Sequence, residues 1–182
     1  MNLDSYQSNY FQELFMECST LINAENLILP YNALVYRYYC SMFSSCTNLV
    51  TAPKLPAMIL DLECYSGMFN GCSSLTSAPE LPVTTLAQGC YNAMFYDCTS
   101  LMTAPELPAT TLVYSCYSSM FYGCTNLNYI KCLATDMSAK DCTTGWVEGV
   151  ASTGTFIKAS NTTNWETGDD GIPEGWTVET NE

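Results

Sequence analysis

Apolar and polar positions follow one pattern along most of this chain, and the pattern recurs every 26 residues. Columns of identical residues stand at that interval, separated mostly by Ser, Thr, Asn and Gly. The columns are Met42, Met68, Met94 and Met120; Phe43, Phe69, Phe95 and Phe121; Cys46, Cys72, Cys98 and Cys124; and Leu49, Leu75, Leu101 and Leu127. Because a fixed period of this length is typical of repeat proteins, the pattern predicts a stack of similar units.

Each unit opens with an apolar segment such as residues 90–98. Within it, Cys90, Met94, Phe95 and Cys98 stand at i, i+4, i+5 and i+8, a spacing that predicts one face of a short helix. The following Leu-x-x-Ala-Pro-x-Leu-Pro phrase predicts extended backbone, because proline disfavours helix. The predicted fold class is therefore an α/β repeat solenoid, each unit a short helix plus short extended strands.

Three regions follow from the register of the repeats. The pattern of residues 1–37 predicts an N-terminal capping helix together with a degenerate first repeat. Asp4 or Ser5 is the expected cap residue of this helix. Residues 38–141 contain the four clear 26-residue repeats. Residues 142–182 hold a partial repeat and then a Gly- and aromatic-rich stretch, which predicts a β-rich C-terminal cap.

The eleven cysteines allow three interpretations. Zinc sites use Cys pairs two to four residues apart, and no Cys-x-x-Cys occurs. Disulfides between neighbouring units are within reach, but equivalent side chains in a stack point in parallel and the total is odd. A buried column of free thiols, in which Cys acts as a small apolar residue, is the reading we adopt. The second such column is Cys64, Cys90, Cys116 and Cys142.

Charge and composition exclude several functions. With 18 acidic and five basic residues, the chain has no Lys/Arg stripe for nucleic acid or an anionic membrane surface. No run of 18 apolar residues predicts a transmembrane helix. The absence of histidine removes the commonest general base and metal ligand. We therefore expect no enzyme, no cofactor, no metal site, no nucleic acid and no membrane insertion.

The order Met-Phe-x-x-Cys-x-x-Leu-x-x-Ala-Pro-x-Leu-Pro, repeated over roughly residues 14–142, resembles the BspA-like leucine-rich repeat. The aromatic, Cys, Leu and Leu-Pro columns carry the resemblance, while the longer repeat and the Met in place of Ala depart from that family. The tail at residues 171–178 looks like endings of such proteins from gut Bacteroidetes. The resemblance implies a leucine-rich-repeat solenoid, extracellular or on the cell surface, that mediates adhesion or binding without catalytic residues.

The functional expectation is a non-catalytic interaction or adhesion module that binds a protein or glycan along the solenoid face. The alternative is a structural protein, such as a decoration or fibre protein of a bacterial virus or a component of a cell-surface assembly. The start of the chain shows no signal peptide, either because none exists or because it has been removed.

Candidate binding residues are those that vary, or carry charge or aromatic surface, between the fixed core columns. On the predicted strand face they are Thr51, Lys54, Ser77, Glu80, Thr103 and Glu106. A second candidate is an aromatic platform of Tyr65, Tyr91 and Tyr117, with Tyr96 and Tyr122 beside it. Half-buried tyrosines that pack neighbouring units remain the alternative for this column.

Overall fold

The chain winds into a stack of parallel coils, with one 26-residue repeat to a coil in its central part. A computed structural model describes residues 10–162 and 165–181. Within them are three strands, β1 (Tyr129–Cys132), β2 (Thr155–Ala159) and β3 (Thr177–Asn181). They form one open parallel sheet in the order β1-β2-β3.

Isolated parallel bridges extend this sheet toward the N-terminus. Asn23 pairs with Thr51, Thr51 with Ser77, and Thr103 with Tyr129 at the start of β1. The register continues from Tyr129 to Thr155 in β2 and from Thr155 to Thr177 in β3. One side of the stack is therefore a column of short extended segments from successive coils.

The prediction of an α/β solenoid with a helix in every repeat is wrong. No helix occurs in the described residues, and the segments predicted as helices, such as residues 90–98, are series of turns. The described part of the predicted capping helix, residues 10–17, is also turns. The proposed cap residues Asp4 and Ser5 lie outside the described residues.

Two sets of backbone hydrogen bonds alternate along these turn segments. The N–H of Phe69 donates to the carbonyl of Met94 in the next coil at 2.9 Å. The N–H of the preceding Met68 donates instead to Tyr65, three residues earlier, at 3.2 Å. Because every second amide is committed to the neighbouring coil, the i to i−4 ladder of an α-helix cannot form.

Positive φ angles at every fourth residue accompany this alternation. In one coil these residues are Glu63, Gly67 and Gly71, with φ of 54°, 62° and 72°. Gly adopts this left-handed conformation readily, whereas a residue with a Cβ loses about 1–2 kcal/mol there. Non-glycine residues such as Asp97 accept that cost in other coils, where the bonds to neighbouring coils offset it.

Identical side chains stack directly on one another inside the coils. Adjacent rings of the column from Phe43 to Phe121 have centroids 5.5–5.7 Å apart and lie within 4–7° of parallel. The Met, Cys and Leu columns beside it are also fully buried. The core is therefore a set of parallel columns that runs the length of the stack.

The first cysteine column forms a hydrogen-bond series of its own. The Sγ of Cys98 donates to the carbonyl oxygen of Phe69 in the preceding coil at 3.1 Å, and that of Cys124 donates to Phe95 at 3.0 Å. The Phe69 carbonyl also accepts the N–H of Cys72 in its own coil at 3.0 Å. Each thiol thus fills a small buried volume and supplies a donor between coils.

Tryptophans cover the C-terminal end of the stack. Trp146 continues the column of Met120, is fully buried, and donates its indole N–H to the carbonyl of Gly171 at 2.8 Å. Trp165 stacks on Trp146 with ring centroids 5.5 Å apart. Trp176 donates to the carbonyl of Ala151 at 2.7 Å. These rings shield the last core columns from solvent.

We predict that Cys98→Ala lowers the free energy of unfolding by about 1–3 kcal/mol, because it leaves a cavity and removes a donor between coils. Urea denaturation followed by circular dichroism measures this change. Cys18→Ala is the matched control, because Cys18 is partly exposed, and it should cost less than about 0.5 kcal/mol. Equal losses in the two variants would contradict a structural role for the buried column.

Candidate functional site

Four of the sequence-predicted site residues meet in one surface depression. Thr51, Lys54, Ser77 and Glu80 line a hollow of about 450 Å³. Thr51 and Ser77 are bridged partners in adjacent coils, so the backbone fixes their separation. Lys54 and Glu80 occupy equivalent positions in the same two coils, and both are exposed. The hollow therefore has a basic side chain in one coil and an acidic one in the next.

A second hollow of about 420 Å³ adjoins the first and contains Glu80 and Glu106. Prolines form much of the walls of both hollows, and none of them is among the binding residues predicted from the sequence. They are Pro53, Pro56, Pro79, Pro82, Pro105 and Pro108. The repeated Ala-Pro-x-Leu-Pro phrase is the sequence signal for these walls, because each phrase places two rigid rings around one variable residue. We call residues 51–56, 77–82 and 105–108 the proline groove.

The three charged residues of the proline groove, Lys54, Glu80 and Glu106, differ in whether they form an ion pair. Glu106 forms an ion pair with Lys131, in which the Lys131 Nζ and the Glu106 Oε1 are 3.1 Å apart. Lys54 and Glu80 form no ion pair within residues 10–162 and 165–181. Lys131 was missed by sequence reasoning, because it stands 25 residues after Glu106, one short of the period. Lys54 and Glu80 are therefore the charges of the groove that remain available to a ligand.

Thr103 continues the row of Thr51 and Ser77. It is exposed and bridged to Tyr129 in the next coil. It lines neither hollow. The structure therefore places Thr103 beside the proline groove, whereas the other predicted residues of this face lie in it.

Tyr65, Tyr91 and Tyr117 lie inside the stack and not on its surface. Their side chains are only 1–2% exposed, and the rings of adjacent coils stack with centroids 6.0–6.2 Å apart. The exposed platform considered as a candidate does not form with these residues, and the interpretation as tyrosines that pack neighbouring coils describes them. Burial raises the pKa of each of the three phenols.

The thiols are free, and all but Cys18 are buried. Burial raises the pKa of Cys64, Cys72, Cys116 and Cys124 to about 12. Because the thiolate is the reactive form, burial keeps these thiols in their less reactive, protonated form at neutral pH. In the part of the chain that the structure describes, no group of three Cys, Asp or Glu residues is arranged to hold a metal ion. The described residues also contain no helix that is long and apolar enough to cross a bilayer.

Comparisons with known proteins yield no relative. No protein-family model, curated protein or solved structure matches the chain significantly. The resemblance to BspA-like leucine-rich repeats rests on the sequence motif alone.

We predict that the free energy of unfolding falls as the pH rises above about 8.5, the ordinary thiol pKa. The folded state raises the pKa of buried thiols such as Cys72. Their contribution to stability is therefore complete below the unfolded pKa and is lost as the pH rises toward about 12. Urea denaturation between pH 7 and pH 11 measures the decline.

The control is Cys72→Ala, which lacks one buried thiol and should show a shallower decline. One thiol contributes a slope of at most about 1.4 kcal/mol per pH unit. A free energy of unfolding that stayed constant from pH 8 to pH 10.5 would contradict protonated, buried thiols.

Proposed function

We propose that this protein is a non-catalytic interaction module that binds a protein or glycan partner along the exposed face of its stacked coils. The observation that carries the proposal is the proline groove, where Thr51, Lys54, Ser77 and Glu80 converge in one hollow. Its walls are rigid rings, and its two available charges have opposite signs. Such a surface offers a ligand preorganised contacts at a small entropic cost.

The lack of histidine and the burial of the core thiols in the described residues support a binding role. The chain has no histidine, and burial keeps its core thiols protonated. The groove contains Thr, Ser, Lys and Glu side chains, which suit hydrogen bonding and ion pairing with a ligand, among apolar Pro, Ala and Leu side chains. An extracellular or cell-surface location is part of this proposal, and burial of the thiols would protect them from oxidation there.

We predict that charged ligands selected on the wild-type protein bind the charge-swapped variant Lys54→Glu/Glu80→Lys more weakly. The variant keeps the net charge and composition but reverses the order of charges along the groove. Binders would be taken from a random dodecapeptide phage library and from a glycan array, and their affinities measured by biolayer interferometry. Exposed ion pairs contribute about 0.2–1 kcal/mol each, so an affinity loss of about threefold to thirtyfold is expected for charged ligands.

The control variant is Glu25→Gln/Glu179→Gln, which changes exposed acids outside the groove. It should leave the affinities within about twofold of wild type, since isolated exposed charges contribute little. Binders that ignored the charge swap, or libraries that gave no binder at all, would contradict the proline groove as the binding site.

A structural role in an assembly is the second candidate, and the N-terminal coil favours it. Ile28 is 85% exposed, although its column carries Lys54, Glu80 and Glu106 in the later coils. Ile22 in the same coil is also exposed. An apolar surface at one end of a stack suits contact with another protein subunit.

This candidate predicts self-association that depends on protein concentration and is weakened by Ile28→Lys. The fold should tolerate lysine at this position, because the equivalent residue of the next coil is Lys54. Sedimentation equilibrium over a hundredfold concentration range measures the effect. A wild-type protein that stayed monomeric throughout would remove the support for assembly through this end.

A further inference from the structure

Tyr96 and Tyr122 form an aromatic pair in the turn segments. Their ring centroids are 4.6 Å apart and the rings lie within 6° of parallel. Both side chains are partly exposed, whereas the tyrosines and phenylalanines of the core columns are buried. At this position of the repeat the preceding coil has Asn70 and the following coil has Glu148. The pair is therefore a local departure from the repeat.

Two carboxylates flank the aromatic pair. The carboxylate of Asp97 lies against the backbone of Gly123, where the Cβ of any other residue would collide with it. Glu148 lies beside Tyr122, and its negative charge is the largest cause that raises the pKa of that phenol, followed by the neighbouring Tyr96. Neither carboxylate forms an ion pair within the described ranges 10–162 and 165–181. Negative charge thus accumulates here without compensation.

The acidic surface continues from Glu148 into a hollow of about 570 Å³ near the C-terminal cap. Glu166, Asp169 and Asp170 also line it. The Oδ1 of Asp170 accepts the N–H of Gly145, which fixes that side chain against the turn segment. Within the described chain, no three acidic groups converge as metal ligands. The carboxylates that line the hollow give it a negative charge, which suits a positively charged group of a ligand.

We infer that the surface formed by Tyr96, Asp97, Tyr122 and Glu148, together with this hollow, binds a basic polypeptide segment. A guanidinium group stacks on an exposed ring face of the tyrosine pair and pairs with the flanking carboxylates. A second basic side chain of the same segment enters the hollow beside Glu148. We call this the acidic tyrosine surface.

Arginine suits the acidic tyrosine surface better than lysine does. Its planar guanidinium stacks on aromatic rings and forms two parallel hydrogen bonds with a carboxylate, whereas an ammonium group is a compact, strongly hydrated charge. The chain carries a formal net charge of −13, so long-range attraction accelerates the approach of a basic segment. The local tyrosine pair then distinguishes this surface from the acidic residues elsewhere.

The site lies in the turn segments, whereas the proline groove lies in the extended segments. It shares no residue with the groove. Binding of a basic segment at the acidic tyrosine surface therefore does not depend on binding at the proline groove.

Isothermal titration with a four-arginine peptide amide tests the inference at about 100 mM salt, where distant charges are largely screened. Asp97→Asn/Glu148→Gln should weaken binding about threefold to thirtyfold, because it removes two exposed charge contacts. Tyr96→Leu/Tyr122→Leu should weaken it severalfold at unchanged net charge through loss of stacking. A four-lysine peptide amide should bind the wild-type protein more weakly than the arginine peptide.

The matched control is Glu25→Gln/Glu179→Gln, which has the same net charge as the Asp97/Glu148 variant and should bind the arginine peptide within about twofold of wild type. If Asp97→Asn/Glu148→Gln and Glu25→Gln/Glu179→Gln weakened binding equally, the inference would be overturned, because binding would then follow net charge alone. It would also be overturned if the wild-type protein did not bind the arginine peptide, or if calcium or an uncharged oligosaccharide bound to this surface instead. Circular dichroism checks that the Tyr96→Leu/Tyr122→Leu variant is folded. The Asp97→Asn/Glu148→Gln variant tests the site without a change to any packed ring.

Discussion

The structure depends on the alternation of backbone hydrogen bonds between and within coils. Tyr65, Gly67, Phe69 and Gly71 donate to the next coil at 2.7–3.0 Å, whereas the amides between them close local turns. A single coil has only its local turns, and these cannot offset the conformational entropy lost when its residues are ordered. The coils are therefore stable only as a stack, in which each coil supplies the partners of its neighbour.

The hydrogen bonds between coils form a ladder along the stack. This ladder explains why the same residue types recur in each repeat, and not merely apolar residues of any type. Neighbouring coils are related by a nearly constant displacement, so each inward side chain contacts its equivalent in the next coil. Parallel phenylalanine rings and thiols that each reach the preceding Phe carbonyl satisfy this condition along their whole columns. A larger residue in one coil would collide with both neighbours, since cores are packed to near crystal density.

The stacking of the repeat columns was readable from the sequence, but the local conformation was not. The spacing of Cys90, Met94, Phe95 and Cys98 fits one face of a helix only approximately, because each four-residue step advances about 40° beyond a full turn. Over eight residues that drift is about 80°. The strict interval of four, and the recurrence of Gly67 and Gly71 at the same interval, indicate a series of turns with a left-handed residue at every fourth position.

The candidate sites were predictable to different degrees for a similar reason. The proline groove follows from the repeated Ala-Pro-x-Leu-Pro phrase, whose rigid rings leave one variable side chain exposed in each coil. The burial of Tyr65, Tyr91 and Tyr117 was harder to infer, because a tyrosine column fits a buried stack and an exposed platform equally well in sequence. The pairing of Glu106 with Lys131 requires knowledge of a one-residue shift in register.

Departures from the repeat place chemical groups at fixed separations on an otherwise uniform surface. Core positions cannot vary without disturbing two neighbours, whereas outward positions such as those of Lys54 and Tyr96 are free of that constraint. A change there alters the surface but not the ladder. Because the ladder sets the distance between equivalent side chains, two substitutions in adjacent coils produce a defined pair, as with Tyr96 and Tyr122 at 4.6 Å. The fold thus separates the identical columns, on which its stability depends, from the positions where the columns differ, on which the proposed binding would depend.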